Sequence, residues 1–372
     1  MWPFRTKKKE SSFQIICDIG TSSVGVAFVN IKNPNKRPIV IEHKRVSFPI
    51  RDNTELLLDD MVRAFDQALA SIFDQTSIPI SRATCVLTGA WCDTDIIHIN
   101  ETNKEPTRVT KKTLDKMLRQ SFQSKSGSLV DDTLIEHKII QATVDGYLSD
   151  NPQGKKSKKL DLVVMATTAP EMITERLRNS IARFYNCPVD MMSFGYVSFR
   201  AHQEALFEYD DMLIFDVGGE VTDVMVIHDR APVIIGAIPF GTHHMIRNIA
   251  DKTHKSIRDV RSQLHIRSHG DGGQDDFDNV FEQEIALWYR HVSPVIEANH
   301  GYGCDVAVVV TDPEFGDGVR DILGERLIKE NRQCRMVMRG PMRIIETNIL
   351  YDDPEKRDQF LSLEVFVVNM IQ

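Results

Sequence analysis

Along the chain, short apolar runs alternate with longer amphipathic stretches, the pattern of an α/β layer. Phe13 to Val29 reads as a strand, a tight Gly-Thr-Ser-Ser turn and a second strand, and Pro38 to Phe48 adds a third. From Thr54 to Phe73 the period changes: Leu57, Leu58, Met61, Phe65, Leu69 and Ile72 fall on one helical stripe. Arg82 to Leu87 returns to strand texture. Asp93 to Ile99, Thr133 to Tyr147 and Leu160 to Thr168 predict further strands, around a helix that Thr110 caps and that runs to about Phe122. Ser124 to Ser128 predicts a loop, and Asn151 to Lys159, with its Pro, Gly and lysines, a protruding turn.

The second half repeats the theme. A helix over Pro170 to Phe184 is followed by strands at Met212 to Asp216, Val221 to His228 and Pro232 to Pro239. Helices follow at Thr242 to Lys252, Ser256 to Leu264 and Phe277 to Asn299, the last with a core-facing stripe of Phe281, Ile285, Trp288, Val292 and Ile296. A Gly/Asp loop at His269 to Gln274 separates the last two. Cys304 to Thr311 predicts a buried strand, then a helix from about Phe315, and Lys356 to Met370 a closing helix. The strand–turn–strand unit near Asp18 recurs near Asp216, about half a chain later, with no shorter repeat, which argues for two related lobes. The expected division is a tail over 1–12, a first lobe over 13–88, a small inserted domain over 89–168, a return to the first lobe over 169–208, and a second lobe over 209–372.

Composition narrows the classes. A chain of 372 residues exceeds one simple core, and 42% hydrophobic with 26% charged residues is ordinary for a soluble globular protein. A net charge of -8 argues against a large basic nucleic-acid surface, so no nucleic-acid partner is expected. No apolar run approaches the roughly 20 residues of a spanning helix, and no signal-peptide pattern opens the chain. The six cysteines form no CxxC pair, and several sit in apolar runs as buried reduced thiols, which suits a cytoplasmic protein. His243 and His244 open a helix without further ligands nearby and read as capping or solvated residues.

Two segments carry candidate chemistry: Cys17-Asp18-Ile19-Gly20-Thr21-Ser22-Ser23-Val24 and Phe215-Asp216-Val217-Gly218-Gly219-Glu220-Val221-Thr222-Asp223-Val224. Each is an apolar strand ending in Asp, a glycine turn with hydroxyl residues, and another apolar strand. Glycines let a backbone approach phosphate and aim amides at its oxygens, and hydroxyls add donors. One aspartate per lobe can hold magnesium through its water shell.

The paired turns resemble the phosphate loops of the superfamily containing actin, sugar kinases and heat-shock chaperones. The inserted segment is similar to that of FtsA-type bacterial division proteins, through Val144-Asp145-Gly146-Tyr147 and Asn151-Pro152-Gln153-Gly154-Lys155. Ile238-Pro239-Phe240-Gly241-Thr242 and Arg247-Asn248-Ile249-Ala250 resemble the run after that family's second phosphate loop. Pilus-assembly PilM proteins share the layout. The resemblance implies an α/β fold of two actin-like (ribonuclease H-like) lobes around a cleft, with a small inserted α+β domain. It implies ATP or ADP with Mg²⁺ as cofactors: Asp18 and Asp216 toward the metal, Gly20, Thr21, Ser22, Gly218, Gly219 and Thr222 around phosphate, and Asp259, Thr311, Asp312 and Gly316 on the adenosine side.

The pattern departs from the family where the base would sit. Val310-Thr311-Asp312-Pro313-Glu314-Phe315-Gly316 replaces a glycine-rich turn, Arg258-Asp259-Val260-Arg261 replaces the ribose-contacting segment, and Ser23 stands where the family has lysine. Weak magnesium-dependent binding and, at most, slow ATP hydrolysis follow. The functional expectation is an FtsA-like scaffold that self-associates through the inserted domain and links a tubulin-like division protein to the membrane. A PilM-like adaptor for an inner-membrane protein tail is the alternative, and a small-molecule kinase, for which no substrate base is evident, a third.

Trp2 and Phe4 beside Arg5, Lys7, Lys8 and Lys9 form a segment suited to an anionic lipid interface, as a peripheral anchor; the alternative is a frayed basic tail. If it anchors, vesicle co-sedimentation falls with added salt and with Trp2→Ala plus Phe4→Ala. Equal pelleting of the full chain and one lacking residues 1–9 leaves only the frayed tail.

Overall fold

The computed structural model describes residues 12–31, 37–51, 56–76, 78–125, 132–269, 275–298, 304–329, 334–338, 349–352 and 358–371. Trp2, Phe4, Arg5 and Lys7 to Lys9 lie outside them.

In the first lobe, β1 (Phe13–Ile19), β2 (Ser23–Asn30) and β3 (Ile39–Ser47) run antiparallel, and β4 (Arg82–Leu87) and β9 (Val189–Ser193) continue the sheet parallel to β1. β1 and β2 are central and buried on both faces, which is why they read as unbroken apolar runs rather than alternations. α1 (Leu57–Thr76) buries Met61, Phe65, Leu69 and Ile72 against one face of this sheet, with α3 (Glu171–Ala182) beside it. Complete burial of a side chain such as Phe65 stabilises by about 1.5–3 kcal/mol.

The second lobe repeats the plan. β10 (Met212–Val217), β11 (Thr222–His228) and β12 (Ala231–Ile238) are antiparallel, and β13 (Val306–Thr311) and β14 (Arg335–Met338) extend parallel to β10. The strand orders β3-β2-β1-β4-β9 and β12-β11-β10-β13-β14 match position by position. One face is covered by α5 (Thr242–Thr253), α6 (Ile257–Ser268), α7 (Asp275–Ala298) and α8 (Pro313–Lys329).

Between the lobes in sequence, β5 (Asp93–Arg108), β6 (Asp132–Val144), β7 (Tyr147–Leu148) and β8 (Lys156–Pro170) form an antiparallel sheet in the order β5-β8-β6-β7. α2 (Lys111–Lys125) packs Leu114 and Met117 onto Leu160, Leu162 and Val164. β5 is more than twice its expected length. Its far half, Asn100 to Arg108, is polar and lies on a sheet edge, where half-exposed pairing leaves no apolar alternation to read.

Three features depart from the sequence reading. β9 and α4 (Phe194–Ala205) had no predicted counterpart; α4 starts where the Ser193 hydroxyl accepts a hydrogen bond from the Tyr196 amide. The end of the chain, assigned to the second lobe, returns to the first: β15 (Leu350–Tyr351) pairs with β3, and α9 (Gln359–Ile371) packs on β1, β2 and α4. The sheet face opposite α1 needs an apolar cover, and Leu361, Leu363, Val365 and Val368 supply it. The same core takes in Ile214, Ile227 and Val308, so α4 and α9 are shared by both sheets. Finally, Cys304 and Cys334 form a disulfide with Cα atoms 5.4 Å apart, joining the starts of β13 and β14, rather than standing as reduced thiols.

No helix among the described residues is long and apolar enough to cross a membrane. Trp288 is fully buried, packs edge-on to Phe215 and donates from Nε1 to the Thr222 hydroxyl at 3.0 Å. Trp288→Ala is expected to cost about 3–5 kcal/mol in urea unfolding, and Trp288→Phe distinctly less. A loss under about 1 kcal/mol for the alanine variant contradicts this account of the second core.

Candidate functional site

Strand register builds the site. Asp18, near the end of β1, is opposite Gly25 on β2, and Gly25 is opposite Arg45 on β3. A Cβ on Gly25 would come within 2.7 Å of Arg45 Nη2, so the missing side chain lets the guanidinium lie across β2 and reach Asp18. Arg45 donates to Asp18 Oδ2 at 2.7 Å, to Ser23 Oγ at 3.0 Å and to Asp358 Oδ2 at 2.7 Å. Asp358 in turn accepts from the Leu361 amide at 3.0 Å and caps α9. Burial opposes the charge on Arg45, but the two carboxylates outweigh it and hold its pKa above the ordinary arginine value. Burial likewise opposes ionisation of Asp358, and Arg45 outweighs it and holds that carboxyl below the usual range.

The second lobe puts different chemistry at the same register. Asp216 on β10 is opposite Asp223 on β11. Burial lifts the Asp216 pKa well above the usual carboxylate range, and the charges of Asp223, Asp18 and Asp312 add to it. Asp223 Oδ1 accepts from the Gly89 amide at 3.0 Å, an approach that a Cβ on Gly89 would block at 2.3 Å.

The two glycine turns are closed in the same way: Gly20 N donates to Ser23 O, and Gly218 N to Val221 O. They also hold each other, because the Glu220 amide donates across the lobes to Thr21 Oγ1 at 3.0 Å. The Trp91 indole fixes the first turn through Gly20 O at 3.0 Å. The first amides of α5, from Thr242 and His243, fix the second through the carbonyls of Gly218 and Gly219, both at 2.8 Å. Gly241 permits this, since a Cβ there would lie 2.4 Å from both carbonyl oxygens. Burial would raise the Glu220 pKa, yet a two-pronged pair with Arg247 and a bond to His243 hold it at about 2.

Asp18, Asp216, Gly20, Thr21, Ser22 and Gly218 line one cavity of about 110 Å³. Thr311 and Asp312 line it too, and a second chamber of about 310 Å³ opens beyond Ser22, Ser23, Arg45 and Asp312, walled by Phe48, Arg261, Leu264 and Phe315. The inner cavity suits an anion of phosphate size; only with the outer chamber does the space reach the range of roughly 300–1,000 Å³ typical of ligand pockets.

Other expected residues lie elsewhere. Thr222 spends its hydroxyl on Phe240 O and the Trp288 indole. Gly219 abuts Ser22 and His243 outside the cavity lining. Asp259 closes a cap with Ser256 on α6, and its neighbour Arg261 reaches the chamber instead, one helical face over. Gly316 is inside the first turns of α8, near Met338. Sequence reasoning missed Arg45, Asp358 and Glu364. Glu364, on α9, lines the inner cavity with its Oε2 buried and without a hydrogen-bond partner, and burial raises its pKa well above the usual range. Gly25 opposite an arginine was a signal for Arg45 only once the strand register was known; no local signal pointed to the other two.

The phosphate half of a magnesium nucleotide fits this site: Thr21, Ser22, Ser23 and Arg45 offer donors. For the metal half the site offers no cluster of direct ligands: Arg45 holds Asp18 Oδ2, and among the described residues the one trio of His, Cys or carboxylate ligands within 4.8 Å is Asp211, His228 and Asp229, on a turn that does not line the cleft, so Asp18 and Asp216 would meet a metal only through its water shell.

No family model matches the chain, and no curated protein does. Among solved structures it is similar to the PilM-PilN type IV pilus biogenesis complex, with TM-score 0.69 and 12% identity over 96% of this chain and 98% of that one. It also aligns with the ethanolamine utilization protein EutJ from Carboxydothermus hydrogenoformans, at TM-score 0.44 and 11% identity over 87% of this chain and 84% of that one. The chain has the actin-like ATPase fold, two lobes around a cleft with a small inserted α+β domain.

The Asp223 carboxyl has its pKa raised to about 7 by burial, against the hydrogen bond from Gly89. Its folded value exceeds the unfolded one near 3.9, so folding takes up a proton. That stabilisation is complete below about pH 4 and is lost as pH rises through about 7. The loss is on the order of 4 kcal/mol. Asp223→Asn keeps an acceptor for Gly89 and is expected to flatten this limb of the stability profile, measured by denaturant unfolding from pH 4 to 8. An unchanged limb assigns the effect to another group.

Proposed function

We propose that this chain is an actin-fold adaptor that grips a segment of a partner membrane protein and couples that grip to a phosphate-bearing ligand in its cleft. The observation that carries the reading is an open groove of about 570 Å³ between the first lobe and the inserted domain. Its walls are mixed: Leu134, Ile135, Met191, Val368 and Ile371 are apolar, and Arg82, Lys138, Arg178 and Asp190 place charges among them. Glu136 is buried in its wall; its Oε1 accepts from the Ser193 amide at 2.9 Å, and its Oε2 has no partner. Glu136 thereby fixes β6 to the start of α4 at the groove floor, and an extended groove with apolar positions along it suits an extended peptide. The likeness to the PilM-PilN complex supports a membrane-protein tail as the occupant. The cleft is the weaker half for catalysis: its turns are tied together and its inner cavity is small, so scaffolding fits better than turnover of a small substrate.

A second reading keeps a specific observation. Tyr147 and Leu148, on the edge strand β7, are 80% and 72% exposed. An uncovered edge with apolar side chains suits self-association, as in an FtsA-like scaffold linking a tubulin-like partner to the membrane.

Photo-crosslinkers at His137, in the groove, and at Tyr147, on the edge, separate the two in native cells. The adaptor reading expects His137 to capture one membrane protein through a terminal segment identified by mass spectrometry. Leu134→Arg should weaken that partner by tenfold or more, about 1.4 kcal/mol. Capture of only a second copy of this chain, from both positions, favours the scaffold and overturns the adaptor.

A further inference from the structure

We propose that Arg45 is the resident cation of the cleft, standing where a divalent metal would, so that a phosphate-bearing ligand is bound without metal. This rests on the cleft taking such a ligand, as argued above.

The arrangement is built in from three strands and one helix. Gly25 clears the path across β2, and Asp18, Ser23 and Asp358 hold the guanidinium from three sides. Asp358 is itself anchored as the cap of α9. Arg45 therefore sits at a fixed point, and that point is the junction of the two chambers, since it lines both. A guanidinium is a planar fork matched to carboxylate and to phosphate alike, so an arriving phosphate can exchange for a carboxylate with the donors in place.

A divalent ion finds the same point closed. It needs ligand oxygens at roughly 2.0–2.6 Å, from carboxylates directly or from waters that carboxylates in turn hold. The Asp18 oxygen nearest Arg45 is taken at 2.7 Å, and the guanidinium repels a second cation beside it. Across the cleft, Asp216 and Asp223 provide two carboxylates that belong to no trio of His, Cys or carboxylate ligands within 4.8 Å among the described residues. Ser23 stands where the resembling family has a lysine, and its hydroxyl accepts from Arg45, so the positive charge has come from β3 instead of from the turn.

The test uses the whole chain and two probes, Mn²⁺ alone followed by electron paramagnetic resonance, and ADP followed by calorimetry in EDTA or in magnesium. The wild type is expected to show no Mn²⁺ site that depends on Asp18, and to bind ADP equally in EDTA and magnesium. Arg45→Met should gain an Mn²⁺ site, lost again on adding Asp18→Asn. It should also bind ADP about tenfold more weakly in EDTA, with magnesium restoring part of the loss. Arg45→Lys keeps a cation and should stay metal-independent, which guards against a variant that merely unfolds. An Mn²⁺ site in the wild type that Asp18→Asn removes, or ADP binding that requires magnesium, overturns the proposal. Absence of ADP binding under both conditions removes the nucleotide from the proposed function, while the Mn²⁺ comparison still decides the role of Arg45.

Discussion

The ion pairs of Arg45 with Asp18 and Asp358 join parts of the chain that are more than three hundred residues apart. Such a cluster contributes little net stability in itself, because desolvating the charges offsets their attraction. Its effect is on geometry. Removing one member would leave a buried charge uncompensated, a cost of about 3–5 kcal/mol, so β1, β3 and the start of α9 must keep their relative positions. The floor of the cleft is thereby tied to the C-terminal helix. That helix in turn fills the space between both sheets with Leu361, Leu363, Val365 and Val368, and its last turns reach the groove beside the inserted domain through Val368 and Ile371. One rigid element thus touches both candidate sites.

The two lobes share a topology and differ in what they place on it. At equivalent register the first has Asp18, Gly25 and Arg45, while the second has Asp216, Asp223 and Ala237. The first turn is steadied by an indole from Trp91, the second by the amides at the start of α5 and by the Thr222 hydroxyl under Trp288. One lobe carries a satisfied charge and the other a set of crowded acids, so the cleft is electrostatically lopsided. A bond from the Glu220 amide to Thr21 then closes the seam between them.

Much was legible from residues alone. The paired apolar strands around Asp18 and Asp216 announced two lobes because central strands buried on both faces must be apolar throughout, whatever the partner strand. The stripes of α1 and α7 were legible because one-sided burial imposes a helical period. The glycine turns were legible as turns because glycine admits tight backbone approach; in the fold, Gly20 lies against Ser23 O and Gly241 against the carbonyls of Gly218 and Gly219. These are local requirements, and a chain states them locally.

The rest required the folded chain. Thr222 and Asp259 have the residue types of a ligand site, yet their side chains are spent on Trp288 and Ser256, partners chosen by packing rather than by spacing. The polar half of β5 carries no alternation because it runs along an edge. The last helix reads as an apolar segment that sequence order assigned to the second lobe; only the uncovered face of the first sheet places it there. Arg45 is the clearest case. In sequence it is one charged residue among several on a strand, and nothing near it marks a site. Its role exists because strand register sets it opposite a glycine, which is opposite an aspartate, and because a cap from far along the chain meets it there. Periodicity, turn chemistry and burial class are properties of neighbours in sequence, so the sequence by itself determined them; charge pairing across strands is a property of neighbours in space, and only the tertiary structure decided it.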